Sequence, residues 1–180
     1  LERSAEVLGL PGAERAKNAL RAALPASDAP LRIRLELFPD GRIDVQTAAF
    51  TPLAADTAWR LKIAATRLAS SDPLLRHKTS RRAVYTEART EFPAGEADEV
   101  ILLNERGELC EGTITSLFLD DGSGILKTPP LTAGLLAGVL REALLESGKA
   151  VEAVLRPQDL SGPTIHVGNS LRGLIRATFA

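Results

Sequence analysis

Between residues 31 and 47 the chain alternates with a period of two. Leu31, Ile33, Leu35 and Leu37 fall on one face and Arg32, Arg34 and Glu36 on the other; Pro39-Asp40-Gly41 turns the chain, and Ile43-Asp44-Val45-Gln46-Thr47 resumes the alternation. That pattern predicts a β-hairpin. Ahead of it, Ala16, Ala19, Leu20, Ala23 and Leu24 recur at helical spacing and predict an amphipathic helix over 13–24. Residues 1–9 read as the inside of a helix that closes at Gly9. The chain contains no methionine, and its natural start is expected upstream of Leu1. The small α/β lobe formed by residues 1–50 is therefore expected to lack its first strands.

Thr51-Pro52-Leu53-Ala54 opens a linker over 51–57, and Trp59-Arg60-Leu61-Lys62-Ile63 begins a new strand in a larger lobe spanning 58–180. In that lobe the pattern predicts a helix over 79–90 and strands over 100–103, 108–119 and 125–128. A helix over 135–145 and strands over 151–155, 165–167 and 174–179 complete it. The fold class expected is α+β in two lobes.

Composition narrows the functions this arrangement can serve. The chain has 180 residues, 44% of them hydrophobic, with 22 Lys and Arg against 23 Asp and Glu for a net charge of -1. No broad basic field is available to hold a nucleic-acid backbone, whereas a small anionic ligand needs only a local pocket. The longest apolar stretch, over 131–140, is interrupted by Thr132, Gly134 and Gly138 and is too short to span a bilayer. No signal-peptide pattern is legible. Cys110 is the single cysteine, no Cys/His metal framework is present, and the cytoplasm is the expected location.

Four segments could carry chemistry. Lys78, in Leu75-Arg76-His77-Lys78-Thr79, follows a proline loop, where most lysines are solvated surface charges. Glu111 sits in an apolar strand, where the ordinary alternative is an edge carboxylate facing water. Strand alternation places the neighbouring Cys110 on the opposite face. Thr128-Pro129-Pro130 leads to Gly138-Val139-Leu140-Arg141, whose free N–H groups at a helix start would suit an anion. Gly168-Asn169-Ser170-Leu171-Arg172-Gly173 is a polar loop between apolar strands. His77 and His166 are read as packing residues.

Taken in order, Lys78, then Gly107-x-x-x-Glu111-Gly112 with Glu111 33 residues after the lysine, then Thr128-Pro129-Pro130 and Gly138-Val139-Leu140-Arg141, resemble the class IV aminotransferase family of pyridoxal-phosphate enzymes. The loop 168–173 and the run 97–104 look most like its aminodeoxychorismate lyase branch. The resemblance implies the two-lobed fold-type IV architecture, similar to D-amino acid aminotransferases, with a larger C-terminal pseudo-barrel. It implies pyridoxal 5'-phosphate as cofactor, Lys78 as its covalent anchor and proton carrier, and Glu111 as the partner of the ring nitrogen. Gly138, Val139, Leu140, Asn169 and Ser170 would hold the phosphate, and Arg172 and Arg82 would grip carboxylates of a small amino substrate.

The activity implied is elimination of pyruvate from aminodeoxychorismate to give para-aminobenzoate, a folate precursor. A branched-chain or D-amino acid aminotransferase and a non-catalytic binding module are the alternatives. A homodimer is implied; no nucleic acid, membrane or metal is. Family aminotransferases often place a tyrosine five residues after the lysine, where this chain has Ala83, with Arg82 before it and Tyr85 after. They also favour asparagine where it has Ser116. Leu1 aligns just after an arginine that many members use on the phosphate.

Overall fold

The computed structural model describes residues 1–26, 29–93 and 95–179. The chain divides into two compact units, Leu1–Leu53 and Ala54–Ala180.

In the first unit, helix α1 (Glu2–Leu8) ends as the sequence predicts. Gly9 takes φ 66°, and backbone N–H groups beyond the helix return to Ala5 O and Glu6 O. The predicted helix over 13–24 is shorter and begins as a 3₁₀ turn at Ala13–Arg15 before α2 (Ala16–Ala23). Strands β1 (Leu31–Leu37) and β2 (Ile43–Ala49) form the predicted antiparallel hairpin, with Leu31 opposite Ala49 and Leu37 opposite Ile43. Arg15 Nη2 donates to Gly41 O at 2.6 Å and ties the 3₁₀ turn to the hairpin's bend.

The second unit contains β3 (Ala58–Leu68), α3 (Ala83–Thr90), β4 (Glu99–Asn104), β5 (Leu109–Gly112), β6 (Ser116–Asp120) and β7 (Leu126–Thr128). It continues through α4 (Val139–Glu146), β8 (Ala150–Glu152), β9 (Thr164–Asn169) and β10 (Gly173–Phe179). Eight strands form one mixed sheet in the order β5-β4-β3-β10-β9-β6-β7-β8, and a further pairing of β5 with β6 closes six of them into a ring. The closing pair is Glu111 opposite Ser116, so the candidate glutamate lies on the seam. This is the mixed α/β architecture with one large sheet expected of fold-type IV.

Two cores flank β4. Ile101 and Leu103 pack with Leu61, Leu109, Leu117, Leu119, Val167 and Ile175, while Val100 and Leu102 pack with Leu68, Leu75, Tyr85, Ala88, Cys110 and Leu135. Burial on both faces explains why β4 reads as an unbroken apolar run.

Several boundaries in this unit differ from the sequence expectation, and the strand predicted over 151–155 is Ala150–Glu152. The strand predicted over 108–119 is broken at Thr113–Thr115 into β5 and β6. The helix predicted from 79 begins at Ala83, and that predicted from 135 begins at Val139. At Thr113, Ile114 and Leu136 backbone N–H groups turn to tertiary carboxylates, Glu99 and Glu111, as the site shows.

Candidate active site

Lys78 follows the 3₁₀ turn Pro73–Arg76, which Asp72 caps by accepting from Leu74 N at 2.9 Å. The residue as a whole is exposed, while its amine is set among protein groups. Loss of water around the amine, and then the positive charge of Arg82, hold its pKa below the ordinary lysine range, while Glu111 pulls the other way. An amine whose charge is destabilised in this manner is a better nucleophile near neutral pH.

Glu111 is only 5% exposed, the opposite of the water-facing edge carboxylate that its strand position suggested. A β-bulge puts it there. Leu103 pairs with Leu109 and the next residue back, Leu102, pairs with Glu111, so Cys110 is an extra residue in the ladder. Residues directly opposite one another share a face. Glu111 therefore shares the face of Leu102, in the core that also holds Cys110 and Tyr85. The simple alternation that placed Cys110 on the opposite face fails at the bulge.

Burial pushes the Glu111 carboxyl up to about 7, against hydrogen bonds from Tyr85 and Leu136 and the charges of Arg82 and Lys78. Tyr85 Oη donates to Glu111 Oε1 at 2.6 Å, and the Leu136 N–H donates to the same oxygen at 3.2 Å. Oε2 accepts no hydrogen bond among the described residues.

Arg82 Nη2 donates to Thr113 O, and the guanidinium lies 4.5 Å from the centre of the Tyr85 ring. Thr113 belongs to the turn that interrupts the predicted long strand. Glu99, fully buried, holds that turn: it accepts from the N–H groups of Thr113 and Ile114 and from the hydroxyls of Thr113 and Thr115. A Cβ on Gly112 would lie 2.5 Å from Thr115 Oγ1 and 2.7 Å from Glu99 Oε2, so glycine is required for this close approach.

The third and fourth predicted segments meet the same turn. Asn169 Nδ2 donates to Ile114 O at 3.1 Å, while its Oδ1 accepts from the N–H groups of Leu171 and Arg172. Asn169 thus ties the 168–173 loop to the β5–β6 turn and retains one amide hydrogen for a ligand. Gly138 is the N-cap of α4 and supplies no side-chain cap, which leaves the first-turn N–H groups of Val139 and Leu140 without intrahelical acceptors. A Cβ on Gly138 would be 3.0 Å from Ser116 Oγ, and one on Gly168 2.9 Å from Leu140 Cδ2. The start of α4 therefore packs against β6 and β9.

Arg82, Glu111, Gly138, Val139, Leu140 and Asn169 thus lie along one connected set of contacts, and Lys78 lies within electrostatic reach of Arg82 and Glu111. Ser170 is exposed in the turn after β9. Arg172 is half-buried, its guanidinium 5.9 Å from the Trp59 ring. Sequence reasoning missed Glu99 and the role of Tyr85. The one available signal for Glu99 was an acid heading the apolar run Val100-Ile101-Leu102-Leu103, a place where an unpaired charge would be costly.

A Schizosaccharomyces pombe protein provisionally named an aminodeoxychorismate lyase is 31% identical over 96% of this chain and 77% of its own. A Thermotoga maritima protein named a probable branched-chain-amino-acid aminotransferase is 32% identical over 84% of this chain and 56% of its own. The crystal structure of a Mesorhizobium loti protein, provisionally named an amino-acid aminotransferase, superimposes with a TM-score of 0.95 at 49% identity, over 99% of this chain and 87% of that one. Residues 1–178 match the family model for amino-transferase class IV, and the chain, with its lysine, buried glutamate and glycine-led helix start, belongs to the class IV aminotransferases, a family of pyridoxal-phosphate-dependent enzymes.

Proposed function

We propose that this chain binds pyridoxal 5'-phosphate and acts as an aminodeoxychorismate lyase, eliminating pyruvate to leave para-aminobenzoate. The observation that carries the cofactor assignment is buried Glu111, whose Oε2 accepts no hydrogen bond among the described residues. Its other oxygen is saturated by Tyr85 and Leu136, and an amine of depressed pKa lies within its electrostatic reach. The residues fit the group in kind: an amine for its aldehyde, a carboxylate for its ring nitrogen, and the open N–H groups of Val139 and Leu140 for its phosphate.

When bound, pyridoxal phosphate supplies an electron sink for the pair released at the substrate carbon that bears the amine. Lys78 removes the proton from that carbon and returns a proton to the departing enolpyruvate. Glu111 holds the ring-nitrogen proton in place. Arg172 and Arg82 offer guanidinium groups to the substrate's carboxylates; Arg82 spends one N–H on Thr113 O and keeps four.

The lyase reading is supported by the yeast relative, which aligns along nearly the whole chain, and by the 168–173 loop. A second reading, transamination of a branched-chain or D-amino acid with the same lysine, is favoured by the Mesorhizobium loti structure and its provisional name. Both readings use a small-molecule amino substrate, and a homodimer in the cytoplasm is part of this proposal.

The test is the visible spectrum of the purified protein with added pyridoxal phosphate, followed by a coupled assay for pyruvate. A band from lysine-bound cofactor, with pyruvate released from aminodeoxychorismate, is expected. Conversion of the cofactor to its amine form by an ordinary amino acid, with no pyruvate from aminodeoxychorismate, would replace the lyase with the aminotransferase. Absence of any cofactor band would leave only the binding-module reading.

A further inference from the structure

We infer that Tyr85 is a positioning residue for the ring-nitrogen contact. Its hydroxyl and the Leu136 N–H together occupy Glu111 Oε1, so that Oε2 alone is presented to the ring nitrogen and the proton the two share rests on nitrogen. The inference rests on the reading that this chain binds pyridoxal phosphate, and it assigns to Tyr85 a task that the Lys78–Glu111 motif does not contain.

The geometry is specific. Tyr85 is 8% exposed and Glu111 5%, so their 2.6 Å hydrogen bond is shielded from competing water. Both donors converge on one oxygen, which leaves the carboxylate asymmetric. The oxygen that already accepts two hydrogen bonds is the poorer proton acceptor, so any proton the carboxyl takes up goes to Oε2, the oxygen that would be left for a bound ring nitrogen. Each donor to Oε1 also lowers the basicity of the carboxylate as a whole. A less basic carboxylate leaves a shared proton on the ring nitrogen, the state in which the ring draws electrons most strongly.

The groups that face this pair are Arg82, Lys78 and Cys110. Burial and the adjacent Glu111 carboxylate push the Tyr85 phenol far above its ordinary range, so that it remains a donor throughout the working pH range. The guanidinium of Arg82, over the ring at 4.5 Å, fixes the plane from which the hydroxyl projects. Tyr85 lies on the first turns of α3 (Ala83–Thr90), and the bulge at Cys110 is what brings Glu111 to the face that meets it.

Tyr85 is the only tyrosine in the chain, so biosynthetic incorporation of fluorinated tyrosines of graded acidity alters this hydroxyl alone. In the apoprotein, the Glu111 carboxyl is followed by carbon NMR with ¹³C-labelled glutamate, its signal assigned from its absence in Glu111→Gln. Tyr85→Phe is expected to raise its midpoint by about one to two pH units, and increasingly acidic fluorotyrosines to lower it in order. A midpoint indifferent to both would overturn the inference. Should Tyr85→Phe fail to fold, the fluorotyrosine series decides alone.

In the loaded protein, ring-¹⁵N pyridoxal phosphate is expected to show a protonated nitrogen in the unsubstituted protein and a shift toward the neutral form in Tyr85→Phe at the same pH. An unchanged nitrogen shift would overturn the inference while leaving the cofactor assignment standing. Failure of the unsubstituted protein to bind pyridoxal phosphate would overturn the functional reading and the ring-nitrogen role with it.

Discussion

Glu99 and Thr113 meet at two points: Glu99 Oε1 accepts the Thr113 backbone N–H at 3.0 Å and the Thr113 hydroxyl at 2.5 Å. The other oxygen, Oε2, takes the Ile114 N–H at 3.0 Å and the Thr115 hydroxyl at 2.9 Å. A strand-initial carboxylate thereby sets the turn whose carbonyls receive Arg82 and Asn169. Replacing Glu99 with alanine removes the acceptor of five hydrogen bonds, these four and one from the Val100 N–H at 2.9 Å, and is expected to cost roughly 3 kcal/mol or more of stability. Glu99→Gln, which keeps the shape but loses the charge and one acceptor, should fall between. Urea denaturation of the apoprotein checks both; a loss under about 1 kcal/mol for Glu99→Ala would contradict the role.

The buried Glu111 carboxyl makes apoprotein stability depend on pH. Its folded value of about 7 lies above the ordinary 4.5, so between these values the folded state holds a proton that the unfolded state has released. This contribution is fully present below about 4.5, is lost as pH rises toward 7, and changes little above that. The span corresponds to roughly 3 kcal/mol. Glu111→Gln is expected to stabilise the apoprotein at pH 8, to leave it nearly unchanged at pH 4.5, and to slow turnover in the loaded enzyme. Denaturation across this pH range is the measurement, and a pH slope that survives the substitution would contradict it.

Lys78 is held by electrostatics of both signs, which gives a paired prediction. Arg82→Gln removes the cation that depresses the Lys78 amine and should raise its pKa; Glu111→Gln removes the opposing anion and should lower it. The rate at which the apoprotein captures pyridoxal phosphate, measured against pH, should move its midpoint up in the first variant and down in the second. Lys78→Ala should abolish both capture and turnover while leaving the thermal midpoint near that of the unsubstituted protein, because the residue as a whole is exposed.

Cys110 adjoins the candidate site without any sign of reactivity. It is 1% exposed, its sulfur lies 3.3 Å from Ala133 O, and burial, with the nearby Glu111 and Glu108, pushes its thiol up to about 12. A thiol reagent should leave the native protein unlabelled at pH 8 and react with one equivalent on denaturation. Prompt native labelling with loss of activity would contradict this burial.

Local patterning by itself determined a good deal of this protein. The 31–47 alternation with its Pro39-Asp40-Gly41 turn produced the hairpin, the glycine at position 9 closed a helix, and the apolar run 100–103 became a doubly covered strand. These features obey interactions between near neighbours along the chain, so they are legible in one dimension. The same holds for the ordered spacing of Lys78, Glu111 and Gly138, which was enough to place the chain in its family.

Tertiary structure decided how those residues face one another. Alternation alone would have set Cys110 and Glu111 on opposite sides, and only the ladder with β4 shows the extra residue that turns Glu111 toward Tyr85. Glu99 reads as a charged strand end until the 113–115 turn wraps it from fourteen to sixteen residues away. The break between β5 and β6 follows from the same contacts, since a buried carboxylate takes the Ile114 N–H and shares that of Thr113 with Val100 O. Hydrogen bonds between groups distant in sequence leave no periodic trace in it, and in this protein those bonds build the candidate site.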